Sequence, residues 1–422
     1  MKQTIIDNFL TLTQLPHCSE DADALFDYLV TFGEERGYEV QSDEVKNILI
    51  RKGTPQLALQ AHYDMVCMGK APQIETHVEE GWMYAKASSL GADNGMGIAM
   101  MMTLMDRGEA LEFLFTSDEE IGLVGAEAIA FELSAQSMLN LDFEEGGEVC
   151  IGCAGGADLI AQQHFYKLEE GYPYNYELTV SGLEGGHSGV DIEKNIPNAI
   201  KVLATYLEGK EVLLSSCHGG ERRNSIPTQM VVKLSSSVPL EGNRWVEVTP
   251  LDETLEVYDG EDFLKLLQAF NHGVHHYNEE FNLPDSSINL AMVSFDKGQA
   301  TIECSSRAMS AEGLEEINER TLSLFEEYAF NATLEYKYPS WRPEINAFTS
   351  TVKEAMEKIF GESRYEAIHA GLECGLLLER YPNIQFASIG PTIENPHSTR
   401  ERVNLESVEK TFQVIEEIVA TL

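Results

Sequence analysis

The sequence predicts an α/β domain, a sheet flanked by helices, with a second domain of α+β class inserted into it. Three observations carry that prediction. Apolar strand-like runs alternate with amphipathic helical patterns over residues 1–172 and again over 341–422. Residues 173–340 instead show runs of paired strand-like segments with few helices between them. Several apolar runs of the outer blocks end in His, Asp or Glu, and in α/β sheets ligands collect beyond the carboxyl ends of the strands.

The elements follow in order. Ile5, Ile6, Phe9 and Leu10 mark one amphipathic helix, stopped near Pro16. Ala24, Leu25, Tyr28, Leu29 and Phe32 mark a second, stopped by Gly33 and Gly37. Residues 47–50 read as a short strand and 57–64 as a buried one, in which His62 and Asp64, two apart, share a face. Residues 96–105 form a Met- and Ala-rich helix whose Met spacing reads as core packing. The apolar run 111–115 leads into Asp118, Glu119 and Glu120, followed by a helix over 126–133 and a strand that ends at Asp142. In the inserted block, strands are expected at 176–180, 211–215, 229–235, 286–294, 300–304 and 332–338, with helices at 198–207, 261–270 and 311–328. A helix at 349–360, a strand at 384–389 and a closing helix at 405–422 complete the outer domain, and His397 sits in the loop after that last strand.

Composition narrows the partners. Among 422 residues, 29 Lys+Arg stand against 70 Asp+Glu, a net charge of −41. Such a field repels nucleic acid and anionic membranes and attracts metal ions. No apolar run approaches the ~20 residues of a membrane span, and the first residues carry no apolar signal core, so a cytoplasmic protein is the simplest reading. The seven cysteines are scattered and read as reduced, with Cys150 and Cys153, the lone C-x-x-C, read as structural. His272, His275 and His276 have helical spacing and read as a polar helix face.

Three adjacent carboxylates at the end of a buried strand are costly without a cation among them, and in so acidic a chain a metal ion is the natural one. His nitrogen and carboxylate oxygen both suit zinc. The candidate ligands are His62, Asp93, Glu120, Asp142 and His397. Five donors overfill one catalytic site but suit two metals that share a carboxylate, and Asp93, set between Gly91 and Gly95, is the candidate bridge. Glu119 is then free as general base, and Asp64 is placed to hold the His62 ring. A serine-hydrolase elbow fails around Ser188 because Val190 stands where its second glycine belongs, and no H-E-x-x-H occurs.

His62-Tyr-Asp64-Met-Val66, Gly91-Ala-Asp93-Asn-Gly95, Asp118-Glu119-Glu120-Ile-Gly122, Asn140-Leu-Asp142 and Pro396-His397-Ser398 together resemble the ordered motif set of the M20 co-catalytic zinc peptidases. Gly152-Cys-Ala-Gly-Gly156, Gly185-Gly-His187-Ser-Gly189 and His369-Ala-Gly-Leu-Glu-Cys-Gly375 extend the resemblance to that family's bacterial aminoacyl-histidine dipeptidases. The resemblance runs nearly end to end. It implies one metal on His62, Asp93 and Asp142 and another on Asp93, Glu120 and His397, zinc in the first instance, with manganese or cobalt as substitutes. It also implies a cis peptide between Asp93 and Asn94. The inserted domain becomes a lid that dimerises the chain, with His187 polarising the scissile carbonyl and Arg307 clamping the carboxylate of a small peptide of Xaa-His type. Two other readings stand beside this one: an M20 deacylase of N-acyl amino acids, and a non-catalytic binding protein on the same fold, which would be expected to have lost a ligand or the base.

Overall fold

The computed structural model describes residues 2–422. The chain forms two compact units, the first made of residues up to 153, 341–367 and 372–422, the second of 154–340 and 368–371.

The first unit is built on an eight-stranded mixed sheet. Its strands lie in the order Glu39–Ser42, Ile48–Arg51, Glu112–Thr116, Leu57–His62, Ser137–Asn140, Gln385–Ser388, Val149–Cys153, Tyr365–Ile368. The four central strands run parallel, with His62 beside Thr116, Gln60 beside Asn140 and Ser388 also beside Asn140. Parallel strands are covered on both faces, which is why Leu57–His62 and Glu112–Thr116 are buried at every position. Because they point one way, the segments that follow His62, Thr116, Asn140 and Ser388 all leave from the same edge.

The helix Ala92–Asp106 is buried at all positions except Asp93 and Asp106, as expected for a helix that is apolar all round. The helix Lys2–Leu12 packs on it, with Asn8 Nδ2 donating to Thr103 Oγ1 at 3.1 Å. The closing helix Leu405–Thr421 packs on Ala347–Phe360. No helix among the described residues is long and apolar enough to cross a membrane.

The second unit is a nine-stranded antiparallel sheet. Its main path is Val246–Pro250, Tyr174–Val180, Met230–Ser236, Val212–Gly219, Leu283–Asp296, Gln299–Ala308, Gly155–His164, Asn331–Tyr338, and Gly273–Asn278 pairs with Leu283–Asp296 as a branch. The helices Ala199–Tyr206, Glu261–Ala269 and Ala311–Glu327 supply Leu203, Phe263, Leu266 and Phe325 to its core. Asn198 caps the first of these helices and Ser310 the last, each side chain accepting backbone N–H bonds. Lys201 Nζ donates to the carbonyls of Leu267, Gln268 and Phe270 at 2.7–2.8 Å, satisfying the end of the second.

Four expectations need correction. Residues 154–172 belong with the second unit, because Gly155–His164 pairs with Gln299–Ala308 and Asn331–Tyr338. The helix expected over 126–133 is only Val124–Ala128. Beyond it, Ile129 and Phe131 alternate buried with exposed neighbours, the period of an extended chain. His275 and His276 lie in the strand Gly273–Asn278, with His272 just before it, since the preceding helix ends at Ala269. The cysteines are not all thiols, for Cys18 and Cys67 form a disulfide with Cα atoms 5.5 Å apart. Backbone pairing of Cys18 with Met65 brings the two together. The other five, Cys150 and Cys153 included, are buried thiols.

Candidate metal centre

Seven of the nine residues singled out in the sequence converge at the carboxyl edge of the first unit's parallel strands. His62 ends one strand, and its Nδ1–H donates to the carbonyl of Asp64 at 3.0 Å. That bond fixes the tautomer, so the Nε2 lone pair of the neutral ring points outward, 3.1 Å from Asp93 Oδ1 and 3.2 Å from Asp142 Oδ1. On the other side of Asp93, Oδ2 lies 3.1 Å from His397 Nε2, which is 2.9 Å from Glu120 Oε1. The ligand atoms of His62, Asp93 and Asp142 lie within 4.8 Å of one another, as do those of Asp93, Glu120 and His397. Asp93 belongs to both groups through different oxygens. The peptide that joins it to Asn94 is cis, and the Asn94 side chain donates to Asp142.

The electrostatics call for positive charge. Burial opposes protonation of His62, yet Asp142, Asp64 and Asp93 outweigh it and push its pKa well above the usual value. Burial likewise opposes charge on His397, and Asp93 and Glu120 push its pKa up in turn. Asp93 is held well below the carboxylate range despite its burial, by hydrogen bonds from His397 and His62. Glu119 goes the other way, raised well above the usual value by burial and by Glu120, Asp142 and Glu373 against the pull of His62. Burial and Asp93 bring Glu120 up to about 7. The carboxylates around each imidazole thus favour positive charge at its place.

Two imidazoles and three carboxylates are a donor set for a divalent metal of the zinc type. Donors at ~2.1 Å from a tetrahedral ion stand roughly 3.4 Å apart, and the observed pairs at 2.9–3.2 Å are close to that spacing. The residues fit two metals that share Asp93. Glu119 also comes within reach of His62 and Glu120, so its position borders both groups.

Asp64 borders the His62 ring and also meets the acidic turn. It is 1% exposed, and its oxygens accept Glu119 N at 2.9 Å, Glu120 N at 3.3 Å and Ser19 Oγ at 2.7 Å. The carbonyl of this residue thus sets the His62 ring and its carboxylate the acidic turn, and the disulfide beside Ser19 ties down that side. Sequence reasoning misses a buried chain beneath the site. Asn140 Nδ2 donates to Gln60 Oε1, and Gln60 Nε2 and Thr116 Oγ1 donate to Glu373 Oε2. Glu373 stands in one of the quoted motifs, but nothing in its spacing reveals this role.

His187 and Arg307 lie in the second unit, one on either side of Gly189. A Cβ on Gly189 would stand 2.5 Å from the His369 carbonyl oxygen, so only glycine allows this approach. His187 Nδ1 accepts the N–H groups of Gly189 and Val190, both at 3.2 Å, which places the imidazole proton on Nε2. Arg307 is 7% exposed. Its Nη1 donates to Tyr338 Oη at 2.8 Å, and its Nε is buried with no hydrogen-bond partner among the described residues. His369 shares the pocket, its Nε2 2.7 Å from Ser287 Oγ. Burial first and Arg307 second push its pKa down to about 3.

Two histidine-bearing donor groups that share a carboxylate, at the strand ends of an α/β unit, suit a metal-dependent hydrolase. The chain belongs to peptidase family M20/M25/M40, whose profile matches residues 58–421. It is 30% identical to the cytosol non-specific dipeptidase of Escherichia coli (strain K12), over 99% of this chain and 97% of that one. That alignment runs over 473 positions against 422 residues here, so the relative carries insertions that this chain lacks. Among solved structures, the aminoacylhistidine dipeptidase of Vibrio alginolyticus matches with a TM-score of 0.80 and 28% identity, over 99% of this chain and 96% of that one. The YXEP protein of Bacillus subtilis, described as a dinuclear metal-binding peptidase of family M20, matches in fold at a TM-score of 0.51 and 13% identity, over 100% and 98%.

Proposed function

We propose that the chain is a dipeptidase that uses two divalent metals, zinc in the first instance, on His62–Asp93–Asp142 and Asp93–Glu120–His397. The observation that carries this reading is Asp93, whose two oxygens face two separate histidine-bearing groups. Bound there, the metals supply Lewis acidity and lower the pKa of water. The chain supplies the rest. Glu119 takes the proton of the attacking water and passes it to the leaving amine. Its position beside both groups, with its N–H held by Asp64, suits that transfer. Asp64 keeps His62 and the 119–120 turn in place.

In the second unit, His187 presents an Nε2–H suited to an oxygen that gains charge in the transition state. Arg307, with its orphaned Nε, suits the carboxylate that ends a dipeptide and so measures its length. A substrate of Xaa-His type follows the name of the Vibrio alginolyticus relative and a cytosolic location that of the Escherichia coli one, and dimerisation through the second unit is part of the same proposal.

The test is a panel of free dipeptides, tripeptides and N-acyl amino acids, assayed on chelator-stripped protein with and without Zn²⁺, Mn²⁺ or Co²⁺. Metal-dependent cleavage confined to dipeptides is expected. Preference for N-acyl amino acids would make it a deacylase, and full turnover without metal would remove the two-metal reading.

A further inference from the structure

Glu401 lies four residues after His397 and is 3% exposed. Its Oε2 accepts the N–H groups of Leu90 at 2.6 Å and Gly91 at 3.0 Å, and its Oε1 those of Ala92 at 2.7 Å and Asp93 at 3.3 Å. These groups open the helix Ala92–Asp106, whose first N–H donors have no partner within the helix. Gly91, at φ +71°, offers no side-chain cap of its own. Asp93 and Asn94 depart from helical φ/ψ, so a carboxylate from a distant loop here gathers the N–H groups of the kinked turn that carries Asp93, ahead of the regular helix.

The same residue closes the turn that carries His397. Glu401 N donates to Ser398 O at 3.2 Å, Arg400 N to Ser398 Oγ at 3.1 Å, and Ser398 Oγ to Asn395 O at 2.8 Å. His397 sits within that turn at φ +55°. Glu401 thus fastens the Asp93 loop to the His397 loop, two segments 304 residues apart in sequence. The partners of Asp93 in the other group are held differently: His62 ends a sheet strand, and Asp142 follows one, with its N–H bonded to Asn140 Oδ1 at 3.1 Å.

We infer that Glu401 is a positioning residue for the Asp93–Glu120–His397 metal site, holding two of its three donors in register and mattering far less to the His62–Asp93–Asp142 site. The inference rests on the two-metal reading above. Its chemistry has a control elsewhere in the unit. Glu112 is fully buried and accepts Ser134 N at 2.9 Å and Ala135 N at 3.0 Å, at the opposite end of its strand from the acidic turn.

The experiment is a Co²⁺ titration of metal-free protein, followed by calorimetry and by visible absorption, with thermal unfolding alongside. Wild type should bind two equivalents. Glu401→Gln puts an N–H donor against backbone donors, and should keep one tight equivalent while the other weakens by about 10–100-fold, the usual cost of losing a ligand's support. Glu112→Gln should lower the melting temperature and still bind two. Should Glu401→Gln not fold, Glu401→Asp keeps the charge with a shorter reach and should show the same one-site weakening to a smaller degree. Two wild-type-like equivalents in the folded Glu401 variant, or equal weakening of both sites, would overturn the inference. So would loss of one equivalent in Glu112→Gln. Fewer than two equivalents in wild type would instead bring down the two-metal reading itself.

Discussion

His62 and His397 of the first unit each face two carboxylates, whereas in the second His369 is buried near Arg307 and the half-buried His272 lies near Lys201. The first pair have pKa values pushed up, and the second pair are pushed down, to about 4 for His272 and about 3 for His369. One side-chain type thus serves two ends. Among acids it becomes a slot for positive charge. Next to a buried guanidinium it stays neutral, and the charge left uncompensated there is that of Arg307, which suits an anion. The first unit therefore carries a surface that suits cations, and the second a buried guanidinium that suits an anion.

The most severe way to break the first half of that contrast is to remove the shared oxygens. Asp93→Ala should release both metals and abolish turnover, as read by metal analysis and a dipeptide assay. Retention of two metals would mean that the bridge is elsewhere. Next in size is Glu119→Ala, expected to keep both metals and lose about 10²–10⁴ in kcat. Glu120→Ala should instead lose metal, and the opposite pattern would exchange the two roles.

The second half is tested by the lid-side residues. His187→Ala should depress kcat by about 10²–10³, the effect of losing an oxyanion donor. Arg307→Ala should mainly raise KM, by roughly 10–100-fold for a lost charged hydrogen bond, and relax the limit to dipeptides. An unchanged KM would leave the anion pocket without a role in substrate binding.

The smallest effect is in pH. His369 and His272 fold neutral, with folded-state pKa values below the ordinary 6.5. The unfolded chain therefore binds their protons first, so the stability they contribute is complete above pH 6.5 and falls as the pH drops toward 4 and 3. Between pH 6.5 and 5 each would cost about 2 kcal/mol. Urea unfolding of the metal-free protein should show a loss over this interval that is smaller in His369→Gln. An equal loss in both would detach His369 from the effect.

The site is legible in the sequence because parallel strands deliver their following residues to one edge. His62, Glu119, Glu120 and Asp142 each sit within four residues of such a strand end. Asp93 and His397 lie on loops and come from motif resemblance as much as from pattern. Glu401 is invisible to that reasoning because its partners are backbone N–H groups, which no side-chain motif announces. The Cys18–Cys67 pair, 49 residues apart, leaves no spacing signal. In the second unit the strands are legible from their alternation. The pocket of Arg307, Tyr338 and His369 is not, since antiparallel pairing joins residues far apart in sequence.

The helix that carries Asp93 rests on sulfur. Met96, Met100, Met101, Met102 and Met105 are each at most 1% exposed. Thioethers are soft and adaptable packing, but oxidation turns each into a polar sulfoxide that such a core cannot hold. Closed off from solvent, these five are out of a peroxide's reach while the helix stays packed. Sulfoxide at these positions would therefore record a history of local opening around Asp93, a chemical trace that outlasts the event.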